Sequence, residues 1–178
     1  MNSKYLFESQ RLGFRNWKSS DIDKLFEVNS DKKVMEFFPS CPTKEQTIEF
    51  IHRMDRQFEK SGFCYFAVEK LENQEFIGFI GLYEQTYPAD FTPCIDIGWR
   101  IKSSEWYNGF ATEGALRCLE YAINDLKIEK IYSVAPKVNT KSERVMAKIG
   151  MTKLYEFEHS LLLDNERLKL CVLYQIEF

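Results

Sequence analysis

The chain has 178 residues, 44% hydrophobic and 29% charged, with a formal net charge of −3 and a pI near 5.6. That length makes one domain, spanning residues 1–178, and buries about 70% of its unfolded surface without covalent staples. The mild acidity excludes a basic stripe that tracks a phosphate backbone, so nucleic acid is not an expected partner.

The five cysteines (Cys41, Cys64, Cys94, Cys118 and Cys171) are too far apart for a zinc finger or a disulfide scaffold. Neither His52 nor His159 has a histidine or cysteine partner one helical turn away, so no metal is expected. The first ten residues lack a basic segment followed by an apolar run, and no stretch of eighteen apolar residues occurs. The expectation is a reduced, cytoplasmic protein that does not meet the membrane.

Leu12 to Trp17 reads as a first strand. Ser20-Asp21 then caps a helix carrying Ile22, Leu25, Phe26 and Val28. Thr43 followed by Gln46 is a capping box, opening a helix with Ile48, Ile51, Met54 and Phe58 on one stripe and ending at Lys60-Ser61-Gly62. The aromatic and β-branched runs "FCYFAVEK" and "FIGFIGLYE", joined by a polar turn, predict a hairpin. A third strand at 94–101 sets Ile95, Ile97, Trp99 and Ile101 on one face.

The next helix carries Ala111, Ala115, Cys118, Leu119, Ala122, Ile123 and Leu126 on one face. A strand at 130–135, a short helix at 139–151 stopped by Gly150, and strands near 152–158 and 167–178 complete the chain. The last strand alternates, with Leu168, Leu170, Val172, Tyr174, Ile176 and Phe178 facing one way. The fold class is α/β, in the α+β sense. A mixed sheet of about seven strands has helices on both faces, its hairpins antiparallel and the crossing at 94–135 parallel.

The segment "EWYNGFATEGAL" joins strand to helix through small residues. The first N–H groups of a helix have no intrahelical partner, and the helix dipole is positive there, so an anion fits. Gly109 removes the side chain that would hold a phosphate away, and Ala111 keeps the next turn shallow. Neither GxxxxGK[ST] nor GxGxxG is present.

Trp106-x-x-Gly109-x-Ala111, followed by Thr112-Glu113, resembles the coenzyme A pyrophosphate loop of the GNAT N-acetyltransferase superfamily, Gln/Arg-x-x-Gly-x-Gly/Ala. "IGWRI" before it, "NTKSERVMAKIGM" after it and "FESQRLGFRNWKSSD" near the start resemble the Rim-type ribosomal-protein N-acetyltransferase branch, in the right order over essentially the whole chain. Four positions depart, one of them Met151 in place of the usual Phe, a mild core change. Trp106 replaces Gln or Arg, as is usual in this branch. Tyr107 replaces a common glycine. Met146 stands where many members carry a tyrosine that protonates the departing thiolate.

The resemblance implies acetyl transfer from acetyl-CoA to an amine, a protein N-terminus or a small molecule, with no metal. It also implies a GNAT fold whose strands at 94–101 and 130–135 splay apart. Trp99 and Ile101 would bond the pantetheine arm through the main chain. Tyr107, Asn108, Gly109, Phe110, Ala111 and Thr112 would offer N–H groups to the pyrophosphate, and Asn139 would hold the pantetheine amide. Asp96 is the expected base, with Glu84 behind it, and Ser142 the expected acid. Lys148 and Arg144 are candidates for the nucleotide's phosphates. Trp17, Phe37, Phe38, Tyr83 and Tyr87 are candidates for the acceptor rim. A second reading is a coenzyme A-binding sensor that turns nothing over. The acceptor's identity and the oligomeric state, a homodimer included, are left open.

Overall fold

The computed structural model describes residues 4–178. Its strands are β1 (Phe7–Glu8), β2 (Leu12–Arg15), β3 (Tyr65–Lys70), β4 (Phe76–Gln85), β5 (Cys94–Ile101), β6 (Lys130–Pro136), β7 (Thr152–Glu158) and β8 (Leu170–Glu177). Its helices are α1 (Ile22–Ser30), α2 (Lys44–Ser61), α3 (Phe110–Asn124) and α4 (Thr140–Lys148). The strands form one sheet in the order β1-β2-β3-β4-β5-β6-β8-β7. All neighbours are antiparallel except β5 and β6.

The sheet therefore has eight strands, one more than the sequence predicts. The addition is β1, whose two residues pair with Phe14 and Gly13 and are too few to show a period. The first predicted strand also ends early, at Arg15, because Trp17 leaves the ladder and its indole N–H donates to the Tyr65 carbonyl at 2.7 Å. The last strand is not one-faced in its middle. Cys171 and Leu173 are as buried as Val172 and Tyr174, whereas Leu170 and Phe178 are exposed. β8 lies between β6 and β7, where both faces are covered.

Neighbouring β4 residues place the helices. Ile80 meets α3, where Gly114 lies so close that a Cβ would stand 2.3 Å from Ile80 Cδ1. Phe79 faces the other way, its ring 5.0 Å from that of Phe50 on α2. Helices thus cover both faces of the sheet. The capping box is present: Gln46 N donates to Thr43 Oγ1 at 3.2 Å and Thr43 N to Gln46 Oε1 at 2.8 Å. Gly62 ends α2 in the left-handed region at φ +76°. Asp21 does not cap α1 through its side chain. Its carboxylate accepts from Lys18 N at 2.9 Å and takes both ends of the buried Arg15 guanidinium, at 2.7 and 2.9 Å.

The site depends on the pairing of β5. It runs beside β4 from Cys94 to Ile101, but meets β6 at one pair, Asp96 with Tyr132. Beyond that pair the two parallel strands separate, which is the splay the family resemblance implies.

Candidate active site

The helix after β5 starts without a capping side chain. Gly109, its N-cap, is left-handed at φ +83°, and the first i→i−4 bond is Glu113 N to Gly109 O at 3.0 Å. The amides of Phe110, Ala111 and Thr112 precede it and have no helical acceptor. A Cβ on Gly109 would meet only Arg11 Nη2, at 3.5 Å, so glycine is required here by its backbone angle and not by crowding within the protein. Tyr107 has a positive φ too, +66°, and its side chain is 89% exposed. The glycine it replaces would adopt that angle without strain.

The turn is tied down from behind. Arg11 Nη2 donates to the Asn108 carbonyl at 3.0 Å, Arg11 Nε donates to Glu113 Oε2 at 2.6 Å, and the guanidinium lies 4.5 Å from the Phe110 ring centroid. Ser9 Oγ adds a bond to Glu113 Oε1 at 2.7 Å. The glutamate of the Thr-Glu pair thus anchors α3 to the β1–β2 hairpin. Sequence reasoning missed Arg11 as a site-building residue, although "QRLGFR" carried the signal.

A cavity of about 370 Å³ opens beside this turn. Trp99, Ile101, Tyr107, Gly109, Phe110, Ala111, Thr112, Asn139 and Ser142 all line it. Asn108 does not, being exposed at its edge. Lys33, Lys141, Arg144 and Lys148 line it as well, against one carboxylate, Glu105, which Lys70 Nζ already holds at 3.0 Å. An excess of cations around free amides suits an anionic ligand.

The β5 wall presents its main chain to this cavity. Ser133 Oγ donates to the Ile97 carbonyl at 2.9 Å, so Ile97 points its polar groups toward β6. Alternation along the strand points those of Trp99 and Ile101 the same way, past the place where pairing with β6 ends. The Ile101 carbonyl is already engaged by the Trp106 indole N–H at 2.9 Å, which leaves that residue's N–H. Lys141 Nζ packs 4.4 Å from the Trp106 ring centroid. Tryptophan at the first loop position therefore closes the end of the strand.

On the opposite wall Asn139 caps α4: Oδ1 accepts from Ser142 N at 3.2 Å and Nδ2 donates to Ser142 Oγ at 3.1 Å. The Ser142 oxygen is thus an acceptor toward Asn139, and its own proton is free to be donated elsewhere. Val145 lines the cavity, while Met146 is buried at 1% exposure in the core, so this stretch of α4 shows the cavity a hydroxyl and no phenol.

Asp96 lines neither this cavity nor the second one described below. It sits on the α2 face of β5, accepting from Tyr65 Oη at 2.7 Å and from Gln85 Nε2 at 3.1 Å. Burial raises its carboxyl to about 7, and the two hydrogen bonds only partly oppose that rise. Burial likewise pushes Tyr65 well above the usual phenol range. Glu84 is engaged elsewhere, paired with Lys60 at 2.7 Å.

The aromatic residues divide. Trp17 is core, and Tyr83 stacks on Tyr65 at 5.5 Å. Tyr87 lies against His159 at 4.3 Å. Phe37 and Phe38 line the first cavity. Phe38 also belongs to a second cavity of about 470 Å³, between the 29–42 segment and α2. Among the described residues no helix is long and apolar enough to cross a membrane.

A sheet split between two parallel strands, with free amides and cations at the mouth of the split, suits a ligand with an anionic head and an extended arm. The family model described as "Acetyltransferase (GNAT) domain" matches residues 11–152, and the chain belongs to this family. Two Bacillus subtilis proteins are similar over their length. The uncharacterized protein YkkB is 29% identical over 85% of this chain and 87% of its own, and the uncharacterized N-acetyltransferase YnaD is 28% identical over 89% of each. A Bacillus anthracis acetyltransferase of the GNAT family superposes with a TM-score of 0.79 at 25% identity, covering 96% of both chains. Spermidine N-acetyltransferase from Vibrio cholerae, solved with CoA and spermine, has a TM-score of 0.73 at 20% identity, covering 93% of this chain and 95% of that one. At that identity the likeness shows the fold alone. The chain is an acetyltransferase.

Proposed function

We propose that the chain moves an acetyl group from acetyl-CoA to an amine by direct attack of nitrogen on the thioester, in the manner of the Rim-type branch its motifs resemble. The carrying observation is that the uncapped start of α3 and the unpaired end of β5 line one cationic cavity. An extended arm with an anionic head fits that combination. The amides of Phe110, Ala111 and Thr112 would hold the pyrophosphate. Trp99, through its main chain, and the Ile101 N–H would hold the arm, with Asn139 facing them. When bound, the cofactor supplies the activated acyl group.

The chain's own contribution is mostly positional. Aligning the two reactants supplies on the order of 7–11 kcal/mol, and a placed acid or base adds about 10²–10⁴-fold. Asp96, poised near neutrality by burial, takes the proton lost by the nitrogen, through a bridging water. The Ser142 hydroxyl donates toward the departing sulfur. The net change is one C–N bond formed, one C–S bond broken, and a proton passed from nitrogen to sulfur. Thiol release from acetyl-CoA across a panel of amines tests this. Release with an acceptor supports it; tight CoA binding with no release across the panel favours the sensor reading.

Two variants probe the roles. Ser142→Ala is expected to lower kcat by about 10²-fold with KM for acetyl-CoA little changed; an unaltered kcat removes the serine as acid. For Asp96→Asn, the limb of the pH–rate profile near 7 is expected to disappear. Stability moves the opposite way. A carboxyl raised in the folded state stabilises fully below its unfolded value, near 3.9, and that contribution is lost as pH rises through about 7. Melting temperatures of the wild type and the variant, compared from pH 5 to 8, should therefore shift in the variant's favour as pH rises. A constant difference would overturn the burial argument.

A further inference from the structure

The second cavity contains an unbalanced cation. Arg100 lies on the α2 face of β5 and lines both cavities, as Phe38 does. Its guanidinium lies 4.3 Å from the Phe38 ring centroid and 5.2 Å from that of Phe79. Nη1 donates to Asn29 Oδ1 at 2.6 Å, and Nε is sealed from solvent with no hydrogen-bond partner. Among the described residues Asn29 is its one hydrogen-bond partner and no carboxylate pairs with it. Burial lowers it to about 10.

A half-buried guanidinium whose Nε is sealed and unpaired, and which has no counter-charge, is costly, and proteins tolerate one where a ligand completes it. The arginine is also held in place. Asn29 is 2% exposed, and its Nδ2 donates to Thr47 Oγ1 at 3.0 Å; Thr47 in turn donates to the Thr43 carbonyl at 2.9 Å. The remaining charges on the cavity wall are Arg53 and Glu49. Glu49 is already taken by Arg56 at 2.7 Å, from outside the wall. The wall is therefore cationic, which repels a polyamine and attracts an anion.

We propose that this cavity is the acceptor cleft and that Arg100, braced by Asn29, binds the carboxylate of an amine substrate, so that the acceptors are amino-acid-like. The proposal rests on the acetyl-transfer reading above. It places the amine end toward the split strands, with the acid end between Phe38 and α2.

The test is a kinetic panel of amino acids and dipeptides, each compared with the same compound amidated at its carboxyl, together with spermidine. The acids are expected to exceed their amides at least about 10-fold in kcat/KM, and spermidine to be poor. In Asn29→Asp, which gives Arg100 an internal carboxylate, and in Arg100→Gln, KM for the acids is expected to rise about 10–100-fold, collapsing the acid-over-amide ratio toward one. Amides turned over as well as acids by the wild type, or a ratio unchanged in Asn29→Asp, overturn the inference while leaving acetyl transfer standing. If no amine releases thiol, acetyl transfer itself falls. Calorimetric titration of the CoA-loaded protein with the acids and their amides then decides the inference, and equal heats, or none for the acids, overturn it.

Discussion

Gly109→Glu is expected to weaken CoA binding by at least about 100-fold while the far-UV circular dichroism stays that of the wild type. The fold tolerates the change because nothing crowds the site: a Cβ would make one ordinary contact, with Arg11 Nη2 at 3.5 Å. The cost within the protein is the left-handed backbone at φ +83°, on the order of 1–2 kcal/mol for a residue with a side chain. The cost to the ligand is larger. A carboxylate would stand where the amides of Phe110, Ala111 and Thr112 offer positive charge, and it would repel a diphosphate. Gly109→Ala separates the two effects, since it carries the backbone cost without the charge and should weaken binding only several-fold. Calorimetry with CoA decides: unchanged affinity in the glutamate variant removes the turn as the pyrophosphate site.

The largest loss of stability is expected at Arg15→Met. Arg15 is 3% exposed and holds two carboxylates, Asp21 at 2.7 Å and Glu69 at 2.6 Å, both nearly sealed from water. Removing one partner of a buried ion cluster leaves uncompensated charge, which costs on the order of 3–5 kcal/mol. In a chain of this size that is a fall in Tm of about 10 °C. Burial alone would push the Glu69 carboxyl up, but hydrogen bonds from Lys4 and Arg15 outweigh it and hold the group at about 2. A depressed carboxyl stabilises above its unfolded value, near 4.3, and that contribution is lost as pH falls toward 2. The wild type should therefore lose its advantage over Arg15→Met as the solution is acidified from pH 6 to 3. A small Tm change at pH 7 would mean that the cluster contributes little.

These two sites differ in how far they were legible. The turn at 106–112 was legible because its chemistry is local: a glycine two residues before an alanine, next to a helix period, carries the backbone angle and the free amides with it. The capping box of Thr43 and Gln46 was legible for the same reason, since its partners are three residues apart. The two-residue β1 was not, because it has no pattern of its own and exists by pairing with β2. Arg11 appeared in a recognisable opening motif, but its duty toward Asn108 and Glu113 spans about a hundred positions.

The sequence by itself determined the order and type of the elements apart from β1, the small-residue turn before α3 and the family, because periodicity, caps and turn residues act between near neighbours. Only the tertiary structure decided which side chains meet across the sheet. It set Tyr65 and Gln85 against Asp96, directed Ser142 and the end of β5 into one cavity, and paired Arg100 with an asparagine 71 residues away instead of with an acid. Strand order and register fix those meetings. They are settled by burial summed over the whole sheet, which no short window of sequence contains.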